Sequence, residues 1–396
     1  MIATVSFDIP AVGTAGLALV LLQAALLGRA ILSFLPPGQP GSHSLRDLPT
    51  TWAASHLVGS TVWLALFVWI PWFSTGHSIL AGFGLAAVLA LVRAITLPAA
   101  LVPRHEPPLE RSTAASSAFR LAALTIVAFA YVSSITAHAF ARNDIFPGIV
   151  VAQLIATLVL VEYGLEQARA LPWMRGTAVL AFAVVIALRG FQDERELGLA
   201  SALSFAAGAA FTITWLRRAD KRALFLAVIA FASAAPFSPS GWTCAVAGLA
   251  WLVVGTARPS RAFAASVAVV FGAMGGALAW IAAHAQPSPW SSAPIPASQT
   301  STELSQAFAL LLFGVVFTAR WFDKRDRKRR PPTTSGAPYA HEDTILLRMT
   351  TSSLFLGFMV QLQWSTPGDP LLPAMLILAL LAGLSLKRFI RATSSR

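Results

Sequence analysis

The chain has 396 residues, of which 56% are hydrophobic and only 12% charged, with a formal net charge of +12. So much apolar surface excludes a water-soluble fold, and the basic excess reads as membrane topology rather than as a nucleic-acid surface. The single cysteine, Cys244, lies inside an apolar run, which excludes an internal disulfide and any cysteine-ligated cluster.

Apolar runs recur from end to end, each long enough to cross ~30 Å of hydrocarbon as a helix. Backbone groups in lipid must bond among themselves, so the choice is helices or a closed barrel. The runs are too long and too evenly apolar for barrel strands. In chain order the spans fall at 11–36, 52–73, 78–102, 118–140, 145–163, 174–190, 198–216, 222–237, 241–257, 262–284, 304–321, 346–364 and 370–387. The expected fold is all-α: a polytopic integral membrane protein of about thirteen transmembrane helices. Met1–Pro10 holds no Lys or Arg ahead of the first run, so a cleaved signal peptide is not expected and that run stays as a span.

The positive-inside rule fixes the direction. With the tail (Lys387, Arg388, Arg391, Arg396) in the cytoplasm, the inner loops and tail hold 22 of the 29 basic residues. The outer loops hold only Arg142, Arg189 and Arg195, and Arg29, Arg93, Arg120 and Arg348 fall within spans. The N-terminus is therefore expected outside and the C-terminus in the cytoplasm. The 322–345 stretch is then a cytoplasmic loop, followed by two helices with a basic tail over 346–396. The loop reads as an anionic-lipid-facing linker and the outer 285–303 stretch as a Pro/Ser/Ala-rich surface loop. Trp52, Trp72, Trp173, Trp242 and Trp364 fit an interfacial belt, and Gly272, Gly275 and Gly276 mark close helix packing.

No phosphate loop, HExxH or Cys/His metal motif is present, so chemistry must be assembled from outer loops and span ends. Two short outer loops concentrate the ionisable groups. The first is His138 to Asp144, where His138 and Arg142 would share a helical face with Asp144 just beyond. The second is Arg189-Gly190-Phe191-Gln192-Asp193-Glu194-Arg195-Glu196. Its carboxylates directly precede a span, where a helix N-terminus also favours them for purely structural reasons.

Several stretches from Leu97 onward carry a resemblance. They are Pro103-Arg104-His105-Glu106-Pro107-Pro108, then Arg142-Asn143-Asp144-Ile145-Phe146-Pro147, Gly190-Phe191-Gln192-Asp193, Trp215 to Arg222, and Ser238-Pro239-Ser240-Gly241. In these the chain resembles bacterial membrane glycosyltransferases of the GT-C class, the polyprenyl-phosphate-sugar users related to protein O-mannosyltransferases. The resemblance implies a GT-C-like membrane core over 104–321, preceded by a three-helix membrane addition over 1–103, and transfer of a sugar from a polyprenyl-phosphate donor to a glycan, lipid or protein acceptor. The reaction would take place on the extracytoplasmic face of the bacterial cytoplasmic (inner) membrane. It implies Asp144 as the acceptor-activating base, with Arg142, Arg195 and His138 against the substrate. Asp193, Glu194 and Glu196 would hold a divalent cation such as Mg or Mn. The first outer loop is shorter than the class pattern, Pro236–Gly241 lacks the basic residue frequent there, and an extracytoplasmic C-terminal domain is not expected.

Membrane lipids and a polyprenyl-phosphate-linked sugar are the expected partners, and nucleic acid is not. Two rival classes stand beside the transferase. A secondary transporter predicts ionisable or polar groups at mid-depth, and the main polar residues noticed in the spans are Gln153, Thr212, Thr214, Gln306 and Gln361. A non-catalytic scaffold, or the membrane subunit of a larger complex, suits the sparse outer charges and the incomplete motifs.

Overall fold

A computed structural model describes residues 14–34, 48–69, 75–96, 146–168, 170–190, 196–218, 220–235, 239–255, 307–318, 321, 340–364 and 371–394. Among them every regular element is helical, as expected. The helices are α1 (Thr14–Leu32), α2 (Leu48–Trp69), α3 (Thr75–Thr96), α4 (Phe146–Gln167), α5 (Pro172–Val185), α6 (Glu196–Arg218), α7 (Lys221–Ala234), α8 (Pro239–Gly255), α9 (Ala340–Trp364) and α10 (Leu371–Ser394). A further apolar helix covers Ala307–Thr318. Each predicted span that falls on described residues is a helix. The spans expected at 118–140 and 262–284, the 285–303 stretch and most of the 322–345 loop lie outside the described residues.

Proline sets many of the helix starts. Pro49, Pro147, Pro172, Pro239 and Pro373 sit in the first turns of α2, α4, α5, α8 and α10, where a missing N–H leaves no bond unmade. Asp220 opens α7 by another device: its carboxylate accepts from the Arg222 backbone N–H at 2.9 Å. At the end of α4 the Ala170 N–H reaches back to the Leu165 carbonyl (3.0 Å), closing the turn into α5. One helix ends irregularly: α5 widens into a π-turn over Ile186–Gly190 before the chain leaves it.

Three stretches are long and apolar enough to cross a membrane: Ile79–Thr96, Val150–Gln167 and Gly198–Arg217. They sit very differently. α3 packs on α1 and α2 and turns Val88, Leu91 and Ile95 outward, whereas α6 is the hub of the bundle. Around α6 lie α4, α7, α8 and α10, with α9 bracing α8 and α10, and α5 wedged against α10 and α4.

Small residues let these helices close. A methyl on Gly28 of α1 would run into the Ser55 carbonyl of α2, and one on Gly59 into the Ala24 carbonyl. Ala24/Gly28 and Ser55/Gly59 thus form a reciprocal small-xxx-small crossing, which brings two backbones into contact. The pairing also shows that α1 and α2 are antiparallel. Phe231 of α7 lies between Gly208 of α6 and Gly248 of α8, with the Phe205 ring 5.6 Å away between centroids. Between α8 and α9 the Trp251 Nε1–H donates to Ser352 Oγ (2.8 Å), and the Arg348 guanidinium stands 5.0 Å over the Trp251 ring.

Candidate functional site

The predicted outer cluster is only framed by the structure. His138, Arg142 and Asp144 lie outside the described residues, as do Asp193, Glu194 and Arg195; Glu196 is the first residue of α6. The frame itself is informative. α4 begins at Phe146, two residues after Asp144, and α6 begins at Glu196, directly after Asp193–Arg195. The two helices pack along their length, with a Cβ position on Gly164 only 3.0 Å from the Ala210 carbonyl.

They run the same way. Tyr163, near the end of α4, is electrostatically coupled to Arg222, which follows the two-residue turn that closes α6. At about 1.5 Å per residue, counting back from Gly164 and Ala210 puts the start of α4 about 6 Å beyond that of α6. Both helices therefore open at one end of the bundle. The π-turn that carries Arg189 and Gly190 leads into the second of these openings.

The opposite end is basic. Arg222 is coupled to Asp220, Arg29 and Tyr163. Arg93 donates through Nε to the Ser33 carbonyl at 3.0 Å, holding the end of α3 to that of α1. Arg175 of α5 meets Glu166 of α4 at 3.1 Å across their connecting turn. Asp220 is 1% exposed. These described charges gather where α1, α3, α4 and α6 end and α2, α5 and α7 begin.

Between the two ends lies a polar feature that groups Gln153, named above among the polar residues of the spans, with His56 and Ser60 of α2, which were not. His56 of α2 is 1% exposed, and neither ring nitrogen has a hydrogen-bond partner among the described residues. It stacks on Trp52, one turn earlier, with centroids 5.4 Å apart and planes 13° from parallel. One turn later Ser60 Oγ accepts from Gln153 Nε2 of α4 at 2.9 Å and itself donates to the Leu57 carbonyl at 3.1 Å. Gln153 is fully buried, and its Oε1 has no partner among the described residues. Gln23 of α1 is buried too, its amide lying where a methyl on Gly82 of α3 would be.

The buried threonines behave differently. Thr61, Thr157, Thr212, Thr214 and Thr350 each donate to the carbonyl four residues back, at 2.7–3.1 Å, which settles their hydroxyls locally. Histidine and glutamine have no such local solution. The signal in sequence was the spacing Trp52-x3-His56-x3-Ser60 inside an apolar run, which places all three on one helical face.

Among the described residues no group of three or more His, Cys, Asp or Glu side chains is placed to hold a metal ion. Asp193, Glu194 and Glu196 stand outside that statement, because their side chains are not among those described. Comparison with protein-family models, with curated proteins and with solved structures gives no match.

Proposed function

We propose that the protein is a multi-pass protein of the bacterial cytoplasmic membrane, N-terminus outside and C-terminus inside. Its activity, on this reading, is that of a GT-C-class glycosyltransferase, moving a sugar from a polyprenyl-phosphate donor to an acceptor on the extracytoplasmic face. The observation that carries the reading is the parallel pair α4 and α6. Both open at one end of the bundle, and their first residues follow Asp144 and Asp193–Arg195 within two positions. What supports the reading is that these two helix starts share one end of the bundle, opposite the end that holds Arg29, Arg93 and Arg222.

The chemistry asks for a base and a counter-charge. Asp144 takes the proton of the acceptor hydroxyl. Arg142 and Arg195 hold the donor phosphate through paired N–H bonds, and His138 donates a hydrogen bond beside them. Two helix N-termini at that end add a favourable field for the phosphate that departs. Asp193, Glu194 and Glu196 are the residues that would hold a divalent cation, which supplies further positive charge at the leaving group.

The test is sugar transfer from a radiolabelled polyprenyl-phosphate donor in membranes of a strain lacking the native protein and complemented by each variant. Asp144→Asn is expected to lower transfer ~100-fold or more, the usual worth of a general base, at an unchanged protein level. Asp193→Asn should do likewise. Wild-type transfer by both variants, or no transfer by the wild-type protein, would sink the reading. Topology is tested separately: a reporter fused after Gln192 should read as extracytoplasmic.

A further inference from the structure

We infer that α2 and α4 enclose a hydrated polar seam in which His56 takes up and releases a proton. The inference is independent of the transferase reading and uses none of its residues. It begins from an energetic anomaly. A buried polar atom without a partner keeps its whole desolvation penalty uncompensated, and native interiors hold few of them. Here both nitrogens of His56 and Oε1 of Gln153 are of this kind, and they lie on facing helices. A phenylalanine ring would fill the place of His56 with no such cost.

The three groups form one line. Trp52, His56 and Ser60 share a face of α2 at one-turn spacing, and the Gln153–Ser60 bond turns that face toward α4. α2 is antiparallel to α1, and Arg29 near the end of α1 and Tyr163 near the end of α4 both stand within electrostatic reach of Arg222 on α7, so α2 is antiparallel to α4 as well. Moving from Ser60 to His56 on α2 therefore moves from Gln153 to Thr157 on α4. The seam runs about 12 Å from Trp52 to Ser60, at the rise of a helix. At its mouth Trp52 is 40% exposed and covers His56 with its ring; at its floor Gln153 is 0% exposed.

The unused bonding capacity identifies the occupant. Ser60 is already both donor and acceptor, and the Thr157 hydroxyl donates to the Gln153 carbonyl at 2.8 Å. What remains is an acceptor on Gln153 and an imidazole that offers one donor and one acceptor. Water satisfies both, being small and able to give and accept, and it needs two to four polar partners to be held. Among the described residues no carboxylate accompanies His56. The titratable groups described on elements packed against α2 are Arg29 of α1, Arg93 of α3, Glu162, Tyr163 and Glu166 of α4, and Lys221 and Arg222 of α7. All of them stand in the last two turns or the first turn of their helices, at the basic end. A histidine alone in such a seam can bind a proton and return it, which is the usual role of an isolated imidazole within a membrane protein. The step is acid–base only: hydronium gives its proton to the ring and leaves water, and the reverse reaction restores it.

The experiment uses the full chain in lipid nanodiscs with ¹⁵N-labelled histidine, the His56 resonances being assigned by their absence from His56→Gln. The imidazole N–H should exchange with D₂O at least ~100-fold faster than the α2 backbone amides around it, whose exchange waits on local opening. Its ring resonances should also follow bulk pH reversibly. His56→Phe should be at least as heat-stable as the wild type. An imidazole N–H as protected as those amides, with resonances that ignore pH, would overturn the inference whatever the variants do.

Discussion

The Phe231 sandwich allows the packing argument to be tested quantitatively. In Gly208→Ala the new methyl carbon would stand 2.6 Å from both Cδ1 and Cε1 of Phe231 and 3.0 Å from Cγ. Carbon atoms prefer about 3.5–4.0 Å, so ring and helix must part by about 1 Å. The ring has little room to retreat, because a Cβ on Gly248 of α8 would stand 2.4–2.7 Å from the same ring atoms and the Phe205 ring lies 5.6 Å away between centroids. The overpacking is expected to cost about 2–3 kcal/mol, the upper part of the usual range. Phe231→Ala opens a cavity instead. In lipid the transfer part of that penalty is largely absent, so about 2–3 kcal/mol is expected, at the low end for Phe→Ala. The informative variant is Gly208→Ala with Phe231→Leu, which removes the ring that the methyl strikes. Unfolding in mixed dodecyl sulfate micelles should give the double variant about 1–2 kcal/mol of rescue relative to the sum of the singles. Additivity of the two single effects, or a neutral Gly208→Ala, would refute the geometry.

The remaining predictions concern the crossing, the cap and the ion pair. Gly59→Val should prevent α1 and α2 from closing and lower the yield of monodisperse protein, while Gly84→Val on α3, where an added Cβ meets nothing within 4 Å, should purify like the wild type. Asp220→Ala should lower stability by about 1 kcal/mol through loss of the α7 cap, and Asp220→Asn should restore most of it, since Asn caps as well as Asp; an Asn variant as weak as the Ala variant would place the effect in the charge facing Arg222 instead. Glu166→Gln should change the unfolding midpoint barely at all, because Glu166 is half exposed and such a pair contributes about 0–1 kcal/mol.

Much of the helical plan was legible before the structure, for two physical reasons. Runs sized to the bilayer announce themselves, and prolines at positions such as 49, 172 and 239 mark where helices begin. The boundaries shifted by a few residues where other forces entered: α9 starts at Ala340, before the apolar run expected at 346–364, and α10 continues through the basic tail to Ser394. What composition could not convey was facing. His56 and Gln23 are polar residues in long apolar runs, and only the Gly28–Ser55 and Gly59–Ala24 contacts, with the Gln153–Ser60 bond, reveal that both are shut inside. The π-turn at Ile186–Gly190 had no signal in its residues either. Of the predicted site, the helix starts that frame it were legible; Asp144, Asp193 and their neighbours lie outside the described residues.

The two proposals meet at one level of the bundle. Gln153, the floor of the seam, is seven residues into α4, so it lies about 10 Å from the end at which that helix follows Asp144. Trp52, at the mouth of the seam, faces the other end, among the helix termini that carry Arg29, Arg93 and Arg222. On the two proposals, a proton taken from an acceptor hydroxyl by Asp144 and a proton held by His56 belong to different ends of the bundle. The arrangement makes separate predictions for separate variants: Asp144→Asn should leave the His56 ring exchanging as before, and His56→Phe should leave sugar transfer within about twofold, since substitutions more than ~10 Å apart with no shared partner act independently. A transfer rate that falls with His56→Phe, at unchanged stability, would instead mean that the seam continues past Gln153 to the catalytic end, and that one proton path serves both.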